Sequence, residues 1–125
     1  MSGELNTMDD QIREDILNEA ARNYYNDKNL VERLRRRVKR KFGSLVDKSE
    51  INDTIILSKN IYESVKALLP NFTESNKTAF ADPQDINYDF LAKAVHEKSL
   101  SNKNQFNLDD IHQVVNWVIY WEYLR

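Results

Sequence analysis

The chain has 125 residues, with 18 Lys and Arg against 20 Asp and Glu, for a formal charge of −2. Hydrophobic residues make up 41% and charged residues 30%, which is enough apolar material to exclude a disordered chain and to fill one domain's core. There are no cysteines and only two glycines and two prolines, so disulfides, thiolate metal sites and a sheet of many tight turns are all excluded.

Met1–Asn6 is polar, and residues 1–7 are expected to be a flexible lead-in to a single helical domain over 8–125. Thr7 offers an N-cap with Asp10 three residues on, where a capping box prefers Glu or Gln. Ile12, Ile16, Leu17, Ala20, Ala21 and Tyr24 then keep a helical stripe, which predicts a first helix over 8–26.

Asn29 is a second cap with Glu32 in the box position, and Gly43 is a natural stop after Phe42. Between them Leu30, Val31, Leu34, Val38 and Phe42 share one arc of about 120°. Nearly everything outside that arc is basic: Arg33, Arg35, Arg36, Arg37, Lys39, Arg40 and Lys41.

Residues 44–51 allow a short helical turn. A third helix is predicted from Asn52 or Asp53 to Leu69, ended by Pro70, with Ile55, Ile56, Ile61, Tyr62, Val65, Leu68 and Leu69 on its apolar face. Residues 71–81 lack periodicity and read as the longest loop. Asp82-Pro83 marks the start of a fourth helix running to Lys98, with Ile86, Phe90, Leu91, Ala94 and Val95 turned inward. After a polar linker, Asn107 caps a fifth helix, and Phe106 and Ile111 stand in the positions of a hydrophobic staple. The expected fold is all-α, a compact bundle-like domain of about five helices.

Two features bear on function. The basic run places Arg33/Arg37, Arg36/Arg40 and Arg37/Lys41 four residues apart, and each such like-charge pair costs roughly 0.2–0.5 kcal/mol on a helix. An anionic surface offsets that cost. The candidates are an acidic protein surface, a nucleic-acid backbone, an anionic membrane and the first helix itself, which carries Asp9, Asp10, Glu14, Asp15 and Glu19; a basic face that is simply solvated is the competing reading. Arg33, Arg36, Arg37, Arg40 and Lys41 are the candidate binding residues. The second feature is the C-terminal run containing Trp117, Tyr120, Trp121 and Tyr123, aromatic on several sides of one helix. Such a helix is central to the bundle or shared with a partner or a second copy, where Trp and Tyr are enriched.

No motif points to catalysis. His96 and His112 are far apart and make no metal pattern, the two glycines form no phosphate loop, and the carboxylate pairs sit at predicted helix starts where the dipole accounts for them. No cofactor and no metal are expected. No apolar run approaches the roughly 20 residues of a membrane span, and no export signal is visible. The composition suggests an intracellular protein, cytoplasmic or, in a eukaryote, nuclear. The expectation is a non-enzymatic protein–protein interaction module, an adaptor, inhibitor or regulatory subunit of an assembly. The alternative is a nucleic-acid-binding regulator that contacts phosphates through helix 29–42.

Overall fold

The computed structural model describes residues 8–75, 88–101 and 105–124, apart from the side chains of 71–75 and 123–124. The fold is all-α and bundle-like. Among the described residues five α-helices follow one another as α1 (Asp10–Arg22), α2 (Leu30–Phe42), α3 (Lys48–Ser75), α4 (Tyr88–Leu100) and α5 (Leu108–Ile119), and a π-helical turn, Tyr120–Leu124, extends α5. The described residues contain no strand and no helix long and apolar enough to cross a membrane. They fall into two compact units, Met1–Lys59 and Asn60–Arg125, with α3 giving residues 48–59 to the first and 60–75 to the second.

In the first unit the stripes of α1 and α2 meet. Ile12, Ile16 and Ala20 are buried with Leu30, Leu34 and Val38, and Val46 and Ile51 complete the cluster. The start of α1 is two residues later than the sequence suggests. Asp9 is the N-cap, accepting from the Ile12 amide at 2.9 Å, while Asp10 becomes a first-turn acid bonded to Arg13. Thr7 lies outside the described residues.

The end of α1 comes earlier than residue 26. Asn23 closes the helix, donating from its side chain to the Glu19 carbonyl at 2.7 Å, and Tyr24 and Tyr25 follow in left-handed conformations at φ 53° and 57°. Each left-handed residue with a Cβ costs roughly 1–2 kcal/mol. Tertiary bonding offsets the cost at Tyr25. The Ser58 hydroxyl donates to the Leu17 carbonyl at 2.9 Å, so the Tyr25 hydroxyl, 2.8 Å away, must be the donor to Ser58 Oγ.

The predicted box at Asn29 does not form. Asn29 makes no side-chain cap bond; instead Asp27 accepts from the Asn29 amide at 2.8 Å, and Glu32 turns away to Lys48 at 3.0 Å and Arg35 at 3.3 Å. Gly43 ends α2 as expected, at φ 67°. Helix α3 begins at Lys48 and not near Asn52, because Asp47 bonds Ser49 Oγ at 2.9 Å and its carbonyl takes the Ile51 amide.

Pro70 does not end α3, which runs on to Ser75. Proline fixes φ near −65°, itself a helical value, so the chain can continue with the bond to the residue 66 carbonyl missing. Ile61, Tyr62, Val65 and Leu69 are buried and hold the helix up to that point. The predicted loop at 71–81 is thus helical through 75, and its remainder, like the Asp82-Pro83 start signal, lies outside the described residues.

In the second unit α4 packs on α5. Leu91, Ala92 and Val95 of α4 are buried, as are Ile111, Val114, Val115, Val118 and Ile119 of α5. Phe90, expected inside, is 62% exposed. The staple is present: Phe106 and Ile111 are both buried, and Asn107 accepts from the Asp109 amide at 2.8 Å. The turn between α4 and α5 is held by side chains. Ser99 Oγ accepts from the Phe106 amide at 3.2 Å, and His96 Nδ1 lies 2.8 Å from the Phe106 carbonyl, which fixes that nitrogen as the protonated one.

A groove rimmed by arginines on the first unit

The basic helix is not uniformly available. Arg37 reaches α1 with two nitrogens, Nε to Asp15 Oδ2 at 2.7 Å and Nη2 to Asp15 Oδ1 at 3.0 Å, and its Nη2 lies 3.8 Å from Glu19 Oε2. Lys41 joins the same carboxylate at 2.9 Å and sits 5.3 Å from the centre of the Phe42 ring. This is charge-assisted, bidentate pairing, the geometry for which a guanidinium is suited. Burial pushes the Asp15 carboxyl up, but the hydrogen bonds and charges of Arg37 and Lys41 outweigh it and hold the group below the ordinary carboxylate value. The hydrogen bond to Asp15 in turn raises Arg37, against the smaller opposing effect of its burial.

Two further cations are engaged at the start of the run. Arg33 pairs with Asp27, whose carboxyl is lowered first by that bond and then by the Asn29 amide. Arg35 shares Glu32 with Lys48, and the Lys48 bond is the largest cause of the lowered Glu32 carboxyl. Arg36, Lys39 and Arg40 are exposed and have no ion pair with any described residue.

A groove of about 330 Å³ lies along this side of the first unit. Glu19 and Asn23 of α1 line one wall, Leu30 and Leu34 line the floor, and Arg33, Arg36, Arg37 and Arg40 rim it. Helix geometry explains the grouping. Arg37 and Lys41 lie about 40° apart on the flank that meets α1, whereas Arg36 and Arg40 lie about 100° further round, beyond the reach of Asp15. Of the five basic residues singled out in the sequence, Arg37 and Lys41 are therefore paired with α1 and Arg33 with Asp27, whereas Arg36 and Arg40 have no ion pair among the described residues.

No family model, curated protein or solved structure matches the chain. The functional reading rests on geometry alone.

The aromatic candidates sit in the second unit. Trp117 and Trp121 are half-buried and Tyr120 is exposed, while the deeply buried positions of α5 are Val114, Val115, Val118 and Ile119. The Trp117 and Tyr120 rings meet edge to face with centroids 5.9 Å apart, and Tyr120 and Trp121 at 5.0 Å. The Tyr123 side chain lies outside the described residues. Beside the aromatics, Tyr62 donates to Glu122 at 2.6 Å, which ties the π-helical turn to α3. That turn widens the helix and re-aims its side chains, an arrangement the 3.6-residue pattern does not show.

His96 is committed to the α4–α5 turn, and His112 Nδ1 stands 3.8 Å from Asp89 on the surface. Among the described residues no group of three metal-ligating side chains converges. Asp15 and Glu19 were among the five acids of the first helix named as candidates, but sequence reading did not single them out as the two that meet the basic run, and it missed Asn23, Leu30 and Leu34 as parts of the site. The i, i+4 spacing of Asp15 and Glu19, matching that of Arg37 and Lys41, was the available signal.

Proposed function

We propose that the chain is a non-catalytic helical interaction module, an adaptor, inhibitor or assembly subunit, that holds an acidic segment of a partner protein on the α1–α2 side of its first unit. The observation that carries this reading is the division of labour along α2. Arg37 and Lys41 are spent on Asp15, whereas Arg36 and Arg40 border a groove and have no partner among the described residues. Unneutralised like charges at four-residue spacing disfavour the helix slightly, so a bound anion stabilises both the complex and the fold.

A nucleic-acid backbone fits the same groove less well. A duplex presents negative charge every 1.7 Å or so and needs a long basic surface. Here the strip is short, Glu19 lines the groove, and Asp10 stands exposed on the neighbouring helix. A discrete acidic segment meets less repulsion. In the second unit, the half-exposed Trp117, Tyr120 and Trp121 supply a second contact surface in the same proposal, since aromatic anchors dominate protein interfaces.

The test is affinity capture from the native source with nuclease present, comparing the wild type with Arg36→Gln/Arg40→Gln. A Lys28→Gln/Lys59→Gln variant makes the same charge change at exposed lysines that do not line the groove. The expected result is a protein partner that survives nuclease, is lost with the arginine variant and is kept by the lysine variant. A partner that vanishes with nuclease, or that ignores Arg36 and Arg40, overturns the reading.

A further inference from the structure

We infer that the segment held on Arg36 and Arg40 is an α-helix with carboxylates four residues apart, lying antiparallel to α2. The inference rests on the interaction reading above and names the form of the partner.

The first unit contains its own template for such docking. Asp15 and Glu19 are four residues apart on α1, and Arg37 and Lys41 are four apart on α2. Asp15 meets both cations, while Glu19 meets only Arg37, so the chain directions run opposite along the seam. Four residues of helix rise about 6 Å, and the acidic and basic steps therefore match without distortion. Arg36 and Arg40 repeat the same step one strip over. Their anionic side of the pattern is missing from the described residues, and a second acidic helix restores it.

A helix fits this place better than an extended peptide. A strand with acids at alternate residues also steps by roughly 6–7 Å, but it gains backbone bonds to the protein only at a sheet edge and otherwise leaves its amides and carbonyls to water. The groove is bordered by helices α1 and α2, whose backbone bonds are already made internally, and the described residues contain no sheet. A docked helix brings its backbone satisfied and needs only side-chain contacts, with Asn23 as an additional polar group in the wall. In that alignment the partner's N-terminal, positive dipole end lies beside the C-terminal, negative dipole end of α2, and its acids lie along the body of the helix, as Asp15 and Glu19 do on α1.

The experiment uses the full chain and fluorescence anisotropy with synthetic probes. The first probe is an alanine-based helical peptide with Glu pairs at i, i+4 on one face. The second has the same composition with the Glu residues distributed round the helix, and the third has alternate Glu residues and prolines that enforce an extended chain. The expected result is that the first binds about tenfold or more tighter than the others, a difference of roughly 1.4 kcal/mol. That advantage disappears in Arg36→Gln/Arg40→Gln, checked as folded by circular dichroism, and persists in Lys28→Gln/Lys59→Gln. Equal binding of all three probes, weakened throughout by Arg36→Gln/Arg40→Gln, overturns the helical inference and leaves the acidic-partner reading standing. Failure of every peptide, with an RNA or DNA duplex binding through Arg36 and Arg40 instead, overturns both.

Discussion

Arg37 and Asp15 form the one two-pronged ion pair between α1 and α2 seen among the described residues, with Nε–Oδ2 at 2.7 Å and Nη2–Oδ1 at 3.0 Å. The Asp15 side chain is only 8% exposed and that of Arg37 30%, so solvent screens the pair less than it does the other ion pairs of α2. It also decides the chemistry of the neighbouring groove, because it removes Arg37 and Lys41 from the set of cations open to a partner.

Stability is expected to fall in acid through this pair. The Asp15 carboxyl is lowered in the folded state, so its contribution is complete above the unfolded value of about 3.9 and is lost as pH drops through the folded value. Asp27 and Glu32 are lowered in the same direction and add to the same window. Asp15→Asn should cost about 1–3 kcal/mol at neutral pH and flatten the acid limb without abolishing it. Urea unfolding from pH 7 to pH 3 measures both effects; an unchanged acid limb would show that the pair is energetically silent.

The Tyr25–Ser58–Leu17 chain of hydrogen bonds is expected to act as one unit. Tyr25→Phe and Ser58→Ala should each destabilise by about 0.5–1.5 kcal/mol, and the double variant by clearly less than the sum. Simple additivity in a double-mutant cycle would mean that Tyr25 is held left-handed by packing alone.

Pro70→Ala should stabilise the chain by up to about 3 kcal/mol, since it restores one backbone bond and removes the ring clash inside α3. A variant of unchanged or lower stability would contradict a helix that continues through residue 70.

In α5 the aliphatic residues should outweigh the tryptophans. Ile119 is fully buried, and Ile119→Ala should cost about 2–5 kcal/mol. Trp121 is half-buried, so Trp121→Ala should cost roughly half of the 3–5 kcal/mol typical of a buried Trp. Thermal unfolding ranks the two, and analytical ultracentrifugation of the Trp117→Ala and Trp121→Ala variants shows whether a second copy uses the aromatic surface. A larger loss at Trp121 than at Ile119 would place the tryptophan, and not the aliphatic stripe, at the centre of this unit.

Local signals were legible wherever a short-range rule sufficed. The stripe of α2, its stop at Gly43, and the Asn107 cap with the Phe106–Ile111 staple all depend on residues within one or two turns of each other. The errors lie elsewhere. Tyr24 and Tyr25 turn their amides back to the Ala21 and Ala20 carbonyls while the Tyr25 hydroxyl reaches Ser58, Glu32 abandons its cap position for Arg35 and Lys48, and Phe90 falls outside the packed side of α4. The Ser58 and Lys48 contacts lie far along the chain from the residues they engage.

The candidate site divides in the same way. Composition and periodicity determined an all-α chain, a helix whose polar arc is basic, and an acidic helix before it, because each follows from residue type and a 3.6-residue turn. Which arginines remain open to a partner was decided only by tertiary structure. Arg36, Arg37 and Arg40 look alike in the sequence, but α1 packs against one flank of α2, and a rotation of about 60–100° around the helix separates a guanidinium that reaches Asp15 from those that do not.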